Sequence, residues 1–268
     1  MILPEFIKKP ILSVFHKAVE INFALQGRAF QYVFVLAHMR SGSTLLSHIL
    51  SSHPDFVGAG ETHTFYKTPA DMRKLAPRTC QLLRTMQLSG KYLVDKITMD
   101  WYLTDDTLSQ LPIYKSVILI REPEAALKSI IGLFKWKEEM ALHHYVTRLE
   151  MLGRYGQVLG QRAIFIEYDD LVDRPRETLA GLTRFFEADP PFTESYERSK
   201  ITGKMGDPSK NISKGHIFRT PGHEISVSES AIAEARAAFY GCRERLSSAG
   251  TLFAVAPSAL MPAVPSRS

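Results

Sequence analysis

The passage from Tyr32 to Leu50 constrains this chain more than any other. Residues 32–37 (YVFVLA) form a short, continuously apolar run rich in β-formers. A polar turn containing Gly42 follows, and Leu45, Leu46, Ile49 and Leu50 then recur at helical spacing. The order is strand, loop, helix. Three further apolar runs repeat the strand pattern at residues 91–95 (KYLVD), 116–120 (SVILI) and 163–166 (AIFI). Helical patterns lie among them at residues 123–133, 138–155 and 175–186, the first and last opening on Pro, which suits an early helical position. Strands that read as apolar throughout, alternating with helices, predict an α/β fold: a central parallel sheet flanked by helices on both faces.

A chain of 268 residues can bury one substantial core, and we expect a single domain over residues 31–248. Ahead of it, residues 1–30 mix apolar positions with Lys8, Lys9, Lys17 and Glu20. That mixture fits an amphipathic leader helix and not a signal peptide, because Ser13, His16 and Lys17 interrupt the apolar stretch. No run reaches the roughly 18 apolar residues of a membrane span. Residues 200–224 are rich in Gly, Lys, Ser and Pro and read as a long loop, of the kind that often forms a lid. Residues 228–246 return to a helical pattern, and residues 249–268, dominated by Ala, Pro and Ser, read as a disordered tail. The formal charge of +5 suits an anionic ligand but is too small to single out nucleic acid. Cys80 and Cys242 are the only cysteines, so neither a disulfide framework nor a zinc site is implied, and a reducing, cytoplasmic setting is the simpler expectation.

The chemistry concentrates at Arg40, Ser41, Gly42, Ser43 and Thr44. Between a strand and a helix, successive backbone N–H groups and the positive helix end converge on one anion, Gly42 permits close approach, and two hydroxyls add donors. A phosphate is the natural occupant. Taken alone, the five letters could be a polar turn with a Ser-Thr helix cap. The loop is not a G-x-x-x-x-G-K-[ST] sequence, since residues 37–40 (AHMR) supply neither the earlier Gly nor the Lys.

The loop resembles that of sulfotransferases dependent on 3'-phosphoadenosine-5'-phosphosulfate (PAPS), whose first strand leads into [KR]-S-G-[ST]-T. That resemblance implies a nucleotide-kinase-like fold in which Arg40 to Leu45 hold the 5'-phosphate of PAPS. Residues 116–131 (SVILIREPEAALKSII) add an Arg ending a strand and a Ser eight positions later. In the family this pair binds the 3'-phosphate, which assigns Arg121 and Ser129; a guanidinium and a hydroxyl are sound chemistry for a phosphate monoester. Residues 60–63 (GETH) are similar to the G-E-[ET] region of the tyrosylprotein branch and related bacterial enzymes. Glu61 is accordingly the implied catalytic base, with His63 in reserve where that branch carries a basic residue. Asp95-Lys96 resembles the N-K-D or D-K-T motif, which makes Lys96, with Arg40, the cation that stabilises charge on the departing phosphate. Residues 168–179 (YDDLVDRPRETL) resemble a further family segment and put Tyr168 near the nucleotide. In the late loop, Lys204, Lys210 or Lys214 supplies a basic residue over the cofactor, with Lys210 the nominal choice. No metal is implied. The acceptor is a hydroxyl on a carbohydrate, lipid, small molecule or protein tyrosine.

Each residue also has a plainer reading. Arg121 by itself would be a surface salt-bridge partner and Lys96 a lysine with a solvated head. His143-His144 lies in a helical pattern without other ligands at metal spacing, and Trp101 and Trp136 suit a core as well as an acceptor pocket. Two rival functions remain. One is an ATP-dependent phosphotransferase, with Asp95 helping to hold Mg²⁺. The other is a nucleotide-binding scaffold without catalysis.

Overall fold

The computed structural model of the chain describes residues 5–197, 214–219 and 224–255, with side chains from residue 10 onward. Six strands form one parallel sheet in the order β2-β3-β1-β4-β5-β6. They are β1 (Gln31–Ala37), β2 (Phe56–Gly58), β3 (Tyr92–Ile97), β4 (Ile113–Ile120), β5 (Ala163–Glu167) and β6 (Leu252–Phe253). The helices are α1 (Glu5–Leu25), α2 (Ser43–Ser51), α3 (Leu75–Leu83), α4 (Asp105–Gln110), α5 (Pro123–Phe134), α6 (Glu138–Leu159), α7 (Tyr168–Asp173), α8 (Pro175–Phe186) and α9 (Glu229–Ser248).

Strand alternation divides the core in two. Phe34, Leu36, Ile118 and Ile120 face one layer with residues of α5, α6 and α9, while Val33, Val35, Val117 and Leu119 face another with residues of α2, α7 and α8. Both faces are therefore covered, which is why the strands read as unbroken apolar runs. A smaller third cluster joins Val19 and Phe23 of α1 to Leu75, Ala76 and Cys80 of α3.

Strand order sets the position of the site. From β1 the chain passes to β2 and β3 on one side, then crosses to β4 on the other. The C-terminal end of β1 is thus a switch point, where an open α/β sheet leaves a crevice between diverging connections.

The strand boundaries depart from expectation mainly at the sheet edges. β2 has three residues, too few to establish a period. β6 lies within the stretch expected to be a disordered tail from residue 249, and that expectation is corrected as far as Val255. Leu252 and Phe253 pair with Ile164 and Phe165, the Ala254 N–H donates to the Phe165 carbonyl at 3.0 Å, and the rings of Phe165 and Phe253 meet at 5.1 Å. A two-residue strand is stabilised by the edge it completes and not by its own composition. Residues 256–268 lie outside the described residues, as do Lys204 and Lys210 of the late loop.

Candidate active site

The loop after β1 is built against backbone preference. Arg40 has φ of 62° and Gly42 of 90°. The left-handed region costs a residue with a Cβ about 1–2 kcal/mol, so Arg40 is held there by its surroundings. At Gly42 a side chain is barred for a second reason: a Cβ would lie 2.4 Å from Cδ2 of Tyr168. These turns bring the chain into α2 with Gly42 at its cap and no side chain occupying the helix end. The first amides of α2 are left to bind a ligand.

His38, which the sequence reading missed, ties this loop to β4. Its Nε2 accepts the Arg121 backbone N–H at 2.9 Å, so Nδ1 carries the proton and donates to the Met39 carbonyl at 2.7 Å. Burial pushes its pKa down to about 3, and the ring stays neutral. Arg121 leaves β4 from that anchor. Its Nη1 donates to the Arg40 carbonyl at 3.2 Å and its guanidinium lies 4.3 Å from the centre of the Tyr168 ring. Arg40 in turn donates from Nε to Ser129 Oγ at 2.9 Å. The two anion grips read from the sequence, the loop after β1 and the Arg121–Ser129 pair, are one connected structure.

Glu61 and Lys96 form the other wall. Lys96 is buried, with its side chain 4% exposed, and its Nζ donates to Thr44 Oγ1 at 3.1 Å and lies 3.4 Å from Glu61 Oε1. The Thr98 hydroxyl donates to the same carboxylate oxygen at 2.5 Å. Thr98 was another omission, although it follows Lys96 by two, the spacing that puts both on one side of a strand. Asp95, one residue earlier, points away into the protein. It accepts the Thr62 N–H at 3.0 Å, the Thr62 hydroxyl at 2.9 Å and the Tyr66 hydroxyl at 2.6 Å. It therefore clamps the segment carrying Glu61, and burial pushes its pKa up to about 7.

Arg148 of α6 has the same kind of supporting place. Fully buried, it donates to the carbonyls of Ala37 at 2.9 Å and Ile97 at 2.8 Å and pairs with Asp100 at 3.1 Å. It joins the ends of β1 and β3, the strands from which the loop and Lys96 emerge. The available signal was an Arg among the apolar positions of a helix, which the sequence reading did not weigh.

One cleft collects Arg40, Gly42, Ser43, Thr44, Leu45, Glu61, Lys96, Arg121 and Tyr168, walled further by Met39, Thr98, Met99, Leu133, Phe134, Tyr196, His216 and Phe218. Ser41 lies buried beneath the loop, and Ser129 reaches the cleft only through Arg40. His63 turns outward and bonds the Tyr102 hydroxyl at 2.9 Å. Trp101 is exposed and not core, whereas Trp136 packs against the α5–α6 layer. His144 is packed edge-on to Trp136 within α6. Lys214 lies 3.7 Å from the centre of the Phe218 ring.

Among the described residues, three cations, Arg40, Lys96 and Arg121, thus meet one carboxylate in this cleft. Arg121, which lines the cleft, has a buried Nε with no hydrogen-bond partner among the described residues. A buried donor without an acceptor costs about 1–3 kcal/mol, so the donor set fits an anionic group with several oxygens. Among the described residues, no cluster of three or more His, Cys, Asp or Glu is placed to hold a metal ion, and no helix is long and apolar enough to cross a membrane. Residues 32–89 match the model of the sulfotransferase family. That stretch contains the loop and Glu61 but stops short of Lys96, Arg121, Ser129 and Tyr168. No curated protein matches the chain.

Proposed function

Residues 32–89 carry the sequence of the sulfotransferase family, and from that premise we propose that the chain transfers a sulfuryl group from PAPS to a hydroxyl acceptor. Arg40 to Leu45 bind the donor's 5'-phosphate through the loop amides and the hydroxyls of Ser43 and Thr44. Arg121 binds the 3'-phosphate, with Ser129 steering Arg40 at the boundary between the two. Tyr168 supports Arg121 from beneath. The late loop adds a basic residue, with Lys210 the one assigned. When bound, PAPS supplies an activated sulfuryl group.

The residues of the chain do the rest. Glu61 accepts the proton of the acceptor hydroxyl as its oxygen bonds to sulfur. The bond from sulfur to the 5'-phosphate oxygen breaks, and Arg40 and Lys96 stabilise the negative charge that collects on that oxygen. Thr98 and Lys96 hold Glu61 Oε1, which leaves Oε2 for the proton. A sulfuryl group carries less charge than a phosphoryl group, so side-chain cations suffice. A cytoplasmic location belongs to the same reading, supported by two buried, unbridged thiols at Cys80 and Cys242.

The observation that carries the proposal is that one cleft holds the loop after β1, Arg121, Lys96 and Glu61 together. ATP-dependent phosphotransfer fits less well, because both oxygens of Asp95 are engaged inside the protein and the loop lacks its Lys. A calorimetric titration separates the two: adenosine 3',5'-bisphosphate should bind at least tenfold more tightly than ATP with Mg²⁺. A preference for ATP would overturn the reading. Transfer of radiolabelled sulfate from PAPS to a mixed hydroxyl panel then separates an enzyme from a scaffold.

A further inference from the structure

The cleft is charged where the donor is assigned and apolar beside it. Met39, Met99, Leu133 and Phe134 line it together with Glu61 and Lys96. Three of the four are placed by residues whose contacts are already described. Met39 precedes Arg40, Met99 follows Thr98, and Leu133 lies four residues after Ser129, one turn along the same face of α5. Ser129 Oγ accepts from Arg40 Nε at 2.9 Å, and Thr98 donates to Glu61 Oε1 at 2.5 Å. The apolar side chains therefore stand next to the carboxylate and the leaving-group cation. Met39 is buried and Met99 packs against the layer of α5, α6 and α9, which fixes that part of the wall. Leu133 and Phe134 end α5 at 36% and 41% exposed, so this end of the wall meets water.

The polar groups beside this wall are engaged with one another. Lys96 donates to Thr44 Oγ1 and lies 3.4 Å from Glu61 Oε1, the oxygen that also accepts from Thr98. Among the described residues lining the cleft, none is Asp, Asn or Gln. Tyr196 and His216 belong elsewhere, Tyr196 to the layer of α2, α7 and α8 and His216 to a bridge with Ser195. A sugar brings several hydroxyls and a peptide its main-chain groups, and each one that loses water without gaining a partner is penalised. An apolar alcohol brings one hydroxyl, which Glu61 Oε2 meets, while its skeleton displaces water from the apolar wall. Resting on the sulfotransferase reading, we infer that the acceptor is a phenol or alkyl alcohol whose apolar skeleton seats against Met39, Met99, Leu133 and Phe134. Its proton passes to Glu61 as the new O–S bond forms and the S–O bond to the 5'-phosphate breaks.

The test compares acceptors on the full chain with PAPS. Along a series from butanol to octanol, kcat/KM should rise about fourfold per added methylene. Naphthol should exceed both glucose and a tyrosine-containing peptide by at least about tenfold. Free octanol and dioleoylglycerol in phosphatidylcholine vesicles distinguish a dissolved from a membrane-held acceptor, and faster transfer to either than to glucose supports the class. A second readout needs no turnover. Leu133→Ser with Phe134→Ser should weaken calorimetric binding of naphthol to the bisphosphate complex at least about tenfold, with bisphosphate affinity held within about threefold. A flat alcohol series, a preference for glucose or the peptide, or naphthol binding indifferent to the double variant would each overturn the inference and leave sulfuryl transfer standing. Naphthol binding that responds to the variant, without sulfation of any acceptor, would instead sink sulfuryl transfer and keep the apolar subsite.

Discussion

Replacing Glu61 by Gln isolates the proton acceptor from everything else in the cleft. The amide is isosteric, and its oxygen can take the Thr98 hydroxyl bond that the carboxylate now accepts at 2.5 Å, so the side chain should stay in place. What disappears is the basic lone pair. A positioned general base contributes on the order of 10²–10⁴ in rate, equivalent to about 3–5 kcal/mol of barrier. Turnover should therefore fall by at least roughly 10². Ground-state binding should move the other way. Among the described residues that line the cleft, Glu61 is the only acid, and it lies 3.4 Å from the buried Lys96 ammonium. Removing its charge takes away the carboxylate paired with Lys96 and makes the cleft more positive, so adenosine 3',5'-bisphosphate should bind as tightly as before or up to about tenfold more tightly. Initial rates with saturating PAPS and a calorimetric titration of the bisphosphate read the two effects separately. Turnover within threefold of the parent would remove Glu61 from the role of base. Bisphosphate affinity reduced tenfold or more would show that the carboxylate is instead part of the donor site.

Two further outcomes follow from the geometry. Gly42→Ala puts a Cβ into the left-handed region and against the Tyr168 ring, at a cost of about 1–3 kcal/mol, and because Tyr168 supports Arg121 the bisphosphate affinity should drop at least tenfold; calorimetry showing unchanged affinity would disprove the coupling. The second concerns stability against pH. His38, depressed to about 3 from its ordinary 6.5, contributes stability that is present above pH 6.5 and lost as pH falls toward 3. Asp95, raised to about 7 from 3.8, contributes stability that is present below pH 3.8 and lost as pH rises through 7. Between about pH 4 and 6.5 the folded chain holds one extra proton at Asp95 and the unfolded chain one at His38, so these contributions to the slope cancel. Asp95→Asn should unmask the His38 slope, a loss of about 1.4 kcal/mol per pH unit below 6.5. Urea melts at half-unit steps measure it, and equal slopes in parent and variant would contradict the assignment.

Much of this architecture was legible from residue order. A strand buried on both faces must be apolar at successive positions, so β1, β3, β4 and β5 announced themselves, and helices opening on Pro123 and Pro175 were marked by the one residue whose missing N–H costs nothing there. The loop after β1 was equally visible, since its Gly and hydroxyl residues follow from local backbone geometry. Glu61, Lys96, Arg121 and Tyr168 were named from their resemblance to family motifs, each tied to an adjoining strand or loop. Tertiary structure decided what no local pattern encodes. Only strand order brings the ends of β1, β3 and β4 together, so the bonds from Arg40 to Ser129, from Arg121 to the Arg40 carbonyl and from Lys96 to Thr44 exist because of topology. His38 and Arg148 support the site through backbone groups far away in sequence, and a hydrogen bond to a distant N–H or carbonyl leaves no periodic trace. β2 and β6 are strands because a neighbouring edge offers unpaired N–H and C=O groups, a cause that lies outside their own residues.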